Sequence, residues 1–228
     1  MKIEKNAKNV IFQKWNSQFP ELSSFSKSKL FKLLGPLVGG IEFFDLKKTV
    51  EYRPYVAWYP IWKSTLKECL NQPLVLYEIR NKKGLQFDIP YNVGDTVLNE
   101  AIDATRQQMF LSLEGDVKVN EIFSLIDRQF SKTLIKSSPI GQAYLLEGKL
   151  LIALYLNDQK SIQMTMNEIK EKSDLWMSGL FEWKNGRTDI WIEKLKGIVL
   201  NREQFLSQVY SNRQDKSLLS LKSSEILI

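Results

Sequence analysis

From Ile41 to Ile89 the apolar residues fall in short β-rich runs separated by turn residues, whereas from Asp95 to about Tyr210 they recur at helical spacing. A chain divided in this way folds as an α+β protein, with a small antiparallel sheet of three to four strands in its N-terminal part packed against a C-terminal helical bundle. Residues 1–94 are expected to hold basic N-terminal helices and the sheet, 95–210 the bundle and 211–228 a tail, with the first two forming one compact unit.

The run from Tyr52 to Trp62 reads YRPYVAWYPIW and is apolar on both parities of an extended strand. Its prolines, Pro54 and Pro60, are six residues apart, so their missing N–H groups point to the same side. That spacing predicts either a sheet edge on that side or a paired stretch broken at both ends. Asn81, Lys82, Lys83 and Gly84 suit the turn of a hairpin from Leu74 to Ile89, in a register that sets Ile79 opposite Phe87 and Tyr77 opposite Ile89.

Before the sheet, a short helix is expected around Ile11 and Trp15. A second is expected over Lys27–Leu34, capped by Ser26 and ended by Gly35 and Pro36. After it, Ser138 and Pro139 open the strongest helix, apolar on nearly every side to about Leu156 and therefore the buried centre of the bundle. Helices around Leu175–Trp183 and Asp189–Val199 follow, and the apolar end of the tail, Ile226 to Ile228, is expected to dock on the body or on a partner.

The chain has no histidine and one cysteine, Cys69. Ser-His-Asp and Cys-His catalysis, Cys/His zinc sites and histidine acid–base steps are thereby excluded. Carboxylate, lysine or tyrosine chemistry survives, or no chemistry. No phosphate-binding glycine motif is present. The hairpin register sets Glu78 opposite Asp88, a like-charge pair that needs a cation between them; a metal ion, Arg80 or a nearby lysine would serve. Glu78 and Asp88 are the only candidates for catalysis, through metal-dependent phosphodiester cleavage, and an ordinary ion-paired sheet face explains them as well.

The net charge of +6 lies wholly in residues 1–63, which hold ten Lys and one Arg against five acidic residues. Lys27, Lys29, Lys32, Lys47, Lys48 and Arg53, beside Tyr55, Trp58, Tyr59 and Trp62, form a candidate binding platform for a protein or, alternatively, for nucleic acid. The same aromatics would fill the core if both faces of their strand are covered. One cysteine and the lack of a signal-peptide pattern point to the cytoplasm. The apolar run Leu33–Ile41, broken by glycines and Pro36, falls short of the roughly 20 residues that span a bilayer. No membrane association, cofactor or metal is expected. Together these features describe a non-enzymatic cytosolic interaction protein, of the kind represented by adaptors, regulators or immunity proteins that neutralise toxins.

Overall fold

The structure, a computed structural model, describes residues 5–46, 48–92 and 94–228. After a first helix, α1 (Lys5–Gln18), the chain enters an antiparallel meander of β1 (Ser23–Ser26), β2 (Lys29–Leu34), β3 (Leu37–Leu46), β4 (Glu51–Pro60) and, beyond the short α2 (Leu66–Cys69), β5 (Val75–Glu78). The long strands β2, β3 and β4 form the middle. Each outer side carries two short strands end to end: β5 and β6 (Ile89–Pro90) along β4, and β1 and the tail residues Ser223 and Ser224 along β2.

The fold is α+β, with a wider sheet than expected, because Lys29–Leu34 is a strand rather than a helix. Leu30 and Leu34 enter one core and Phe31 and Leu33 the other. A strand covered on both faces has apolar residues at consecutive positions, which at 30, 31, 33 and 34 mimics a helical stripe. Gly35, at φ 53°, and Pro36 are the two central residues of the hairpin that pairs Leu34 with Leu37. Glycine supplies the positive φ that such a turn requires at its first position.

β4 is paired on both sides and is not an edge. The Trp58 carbonyl accepts from Leu74 N–H and the Pro54 carbonyl from Ile79 N–H, so the even-numbered residues of β4 turn their backbone groups toward β5. Pro54 and Pro60, with no N–H to offer, bracket the four residues Tyr55–Trp58 that pair with β5. The prolines therefore limit the ladder on one side of a continuous strand.

The hairpin turn has the expected geometry: Asn81 N–H donates to the Leu85 carbonyl at 2.8 Å, Gly84 lies at φ 76°, and Arg80 pairs with Gln86. Beyond that pair the arms part. Each adds to β4 instead of to the other, so Glu78 lies opposite Tyr55 rather than opposite Asp88. The longer, apolar β4 gives both arms a ladder and buries Ile79, Phe87 and Ile89 together.

Nine more helices complete the described chain: α3 (Asp95–Gln108), α4 (Val119–Phe130), α5 (Thr133–Lys136), α6 (Pro139–Leu156), α7 (Gln159–Ser173), α8 (Ser178–Asn185), α9 (Thr188–Leu200), α10 (Arg202–Arg213) and α11 (Lys216–Leu219). One face of the sheet packs Leu30, Ile41, Val56 and Trp58 against α1, α3 and α4. The other packs Phe31, Val38, Ala57 and Tyr59 with Leu146, Leu150 and Leu154 of α6 and with apolar residues of α7, α9 and α10. Cys69 is buried on this second side.

α6 is the centre of the bundle, with eleven of its eighteen residues buried. Ser138 caps it by accepting from Gly141 N–H at 3.1 Å, and Asn157, at φ 58°, ends it in the left-handed conformation. Its buried Lys149 lies 3.0 Å from both Asp127 and Glu168, which ties α6 to α4 and α7. Burial works against that ammonium, but the two carboxylates hold it above the ordinary lysine range.

The tail docks on the body. Ser223 and Ser224 form β8, parallel to β2, while β7 (Val117–Lys118) pairs with β9 (Ile226–Leu227). Ile226 fills the space beside Gly35, where a Cβ would lie 2.9 Å from its Cδ1. Among the described residues, no helix is long and apolar enough to cross a membrane.

Candidate functional site

The residues expected to share one binding platform are dispersed by the sheet. Lys32 is buried, its Nζ donating at 2.7 Å to the Leu113 carbonyl and to Ser224 Oγ; burial lowers its pKa, and Asp116 and Glu21 oppose that effect. Trp58 is 1% exposed on the opposite face from Tyr55. Tyr59 is buried too, its hydroxyl donating to Glu42 at 2.6 Å. Lys27 and Lys48 are exposed, and Lys47 lies outside the described residues.

Lys29, Arg53 and Tyr55 share one face of the sheet, beside the exposed Phe44. Register places Lys29, Glu42, Tyr55 and Glu78 in one row across four strands, with Phe44 and Arg53 in the next. Every charge there has a partner. Lys29 lies 2.9 Å from Glu42, Arg53 grips both oxygens of Asp88, and Arg80 pairs with Glu78. The repulsion expected between Glu78 and Asp88 is thus removed twice, by separation and by one arginine each. Among the described residues, no three His, Cys, Asp or Glu side chains gather as a metal site.

Another group of exposed apolar side chains lies on a stretch that reads LWMSGLFEW from Leu175 to Trp183. Of its apolar residues, Trp176 and Phe181 pack inward with Trp191 of α9, ring centroids 5.1–5.8 Å apart. Trp176 Nε1 also donates to Gln142 at 2.9 Å, which fixes the segment to α6. The other apolar side chains of the stretch, Leu175 and Met177 just before α8 and Leu180 and Trp183 on it, stay outside. Leu175 is 84% exposed, Met177 71% and Trp183 74%, and Leu180 and Ile190 are exposed beside them. Isolated exposed apolar residues need no explanation, whereas five in neighbouring segments, one of them a tryptophan, are unusual. The signal in the sequence is density: six large apolar residues in nine positions exceed what one helical face can bury.

Trp62, the last member of the expected platform, lines a cleft of about 610 Å³ between the end of β4 and α6, α9 and α10. Glu147 of α6 stands in this cleft, half-buried. Burial pushes its carboxyl above the ordinary glutamic acid range, while the Trp191 indole and the Lys194 and Lys63 ammonium groups pull it back. Tyr144, one turn earlier on α6, also feels the Glu147 charge. With its folded-state pKa raised, Glu147 costs stability as pH climbs from the ordinary range through the raised value. Glu147→Gln removes that loss. In urea unfolding the variant should be more stable than the parent at pH 8 and lose its advantage at pH 4; an advantage independent of pH would mean that the carboxyl is not desolvated.

Compared with models of known protein families, with curated proteins and with solved structures, the chain matches none.

Proposed function

We propose that this chain is a protein-binding protein that works by capturing a partner rather than by catalysis, with the α8 face as the docking surface. The observation that carries the reading is the exposed set Leu175, Met177, Leu180, Trp183 and Ile190, held in place from beneath by the Trp176–Phe181–Trp191 rings. Tryptophan is among the residue types that dominate interface energies, and a surface already fixed before binding loses little entropy when it docks. Residues 168–196 carry six basic and six acidic side chains, a balance that draws in neither polyphosphate nor an anionic lipid surface and suits an apolar groove on a protein.

The nucleic-acid alternative has less support. Of its six cations, Lys29 and Arg53 are ion-paired and Lys32 is buried on a carbonyl and a hydroxyl. Glu78 and Asp88 point toward structural ion pairs more than toward phosphodiester cleavage, since each is held by its own arginine.

Native capture with the parent chain and with Leu180→Ala/Trp183→Ala tests the reading. Exposed positions tolerate truncation within about 0.5 kcal/mol, so the variant should keep its thermal midpoint. At least one protein retained by the parent should fall tenfold or more with the variant. Identical recovery from both would remove the α8 face from the account.

A further inference from the structure

The cleft beside Trp62 is a second feature, independent of the α8 face, and its walls follow a common pattern. Glu147 and Leu151 are one turn apart on α6. Lys194, Gly197 and Ile198 share a face of α9, and Asn201, Gln204, Phe205 and Gln208 share one that begins at the cap of α10. Each wall therefore offers polar and apolar groups side by side.

These walls are fixed in place. Asn212 Nδ2 donates to the carbonyls of Ile61 at 3.0 Å and Lys63 at 2.7 Å, holding the end of β4 against α10. Arg202 donates at 2.7 Å to the Leu154 and Tyr155 carbonyls at the end of α6. Trp62 and Phe205, centroids 6.3 Å apart, make one continuous aromatic wall. Gly197 lies on the cleft lining, and a Cβ there would meet nothing within 4 Å, so a larger side chain at this position enters open space.

Charge then decides what fits. Among the described residues neither Lys63 nor Lys194 makes an ion pair, although both line the cleft with Glu147. Lys63 Nζ rests 5.5 Å from the Tyr144 ring centroid, near enough to be oriented and still free to bind. Two ammonium groups with no direct ion pair among the described residues, both acting on Glu147 through space, line a space of drug-ligand size together with the Gln204 and Gln208 amides and an aromatic wall.

We infer that this cleft binds a small organic anion, an apolar body carrying one carboxylate that sits between Lys63 and Lys194 while the body lies against Trp62 and Phe205. The same desolvation that disfavours charge on Glu147 reduces its repulsion of such a ligand.

Titration calorimetry with 2-naphthoate, its neutral analogue 2-naphthamide and the cationic 2-naphthylmethylamine tests the inference. Naphthoate should bind at least tenfold more tightly than the amide. Lys63→Gln and Lys194→Gln should each erase most of that preference, and Gly197→Phe, which fills the cleft from a position with open space, should abolish binding while the thermal midpoint holds or rises. Equal binding of acid and amide would reduce the site to an apolar recess, and tighter binding of the amine would make Glu147 the counter-ion; either result overturns the inference. So would no binding of any probe, or naphthoate binding unchanged in Gly197→Phe.

Discussion

Replacing Trp58 with alanine should cost about 3–5 kcal/mol of stability, the range for truncating a fully buried aromatic side chain. The ring is 1% exposed in the core formed by the first sheet face with α1, α3 and α4, and lies over Gly39 on the neighbouring strand. Its removal leaves a cavity that β4, paired on both sides, cannot close by moving. Urea unfolding followed by circular dichroism measures the loss. A change below about 1 kcal/mol would mean that the ring is not packed in this way, and would return Trp58 to the surface role its sequence also allows.

Gly39→Ala should be at least as severe. A Cβ at Gly39 would lie 2.2 Å from the Ala57 carbonyl oxygen and 2.7 Å from Trp58 Cα. Both obstacles are backbone of β4, so no side-chain rotation relieves them. Either the β3–β4 ladder opens or β3 bends away, and the cost is about 4 kcal/mol or more. The same substitution at Gly197 reverses the sign. There the added methyl meets open space in the last turn of α9, and alanine should stabilise by up to about 1 kcal/mol. Equal effects at the two positions would contradict the packing of β3 between its neighbours.

The fold class follows from features that local chemistry determines. Ser138–Pro139 and Asn157–Asp158 announce helices and their ends through capping groups that act within a few residues. The hairpin turn at Asn81–Gly84 is equally local. What the sequence conceals is long-range pairing. Lys29–Leu34 has one pattern for two structures; its hairpin with β3 is local, but the cover on both sheet faces and the Ser223–Ser224 strand, far along the chain, are not readable from its own residues. The parting of the hairpin arms has the same origin, because β4 outcompetes each arm as a partner for the other.

The candidate surfaces show the same limit. Lysine and arginine read as free cations until the fold supplies Glu42, Asp88 and the Leu113 carbonyl. Alternation assigns Tyr55 and Trp58 to opposite faces, but only the position of the helices shows that one face opens to solvent at Tyr55 while the other is closed over Trp58. The α8 surface is partly legible, since LWMSGLFEW holds more large apolar side chains than a single stripe buries. Which of them turn inward depends on Trp191, which the local sequence does not reveal.

The most direct test of partner capture by α8 is photo-crosslinking in native extract, with p-benzoylphenylalanine placed at Trp183 and, as a control, at Leu134, which is 83% exposed on α5. A discrete protein adduct should form from position 183, be absent from position 134 and disappear when Leu180→Ala is added. No protein adduct from position 183, or the same adducts from both positions, would contradict partner capture by α8.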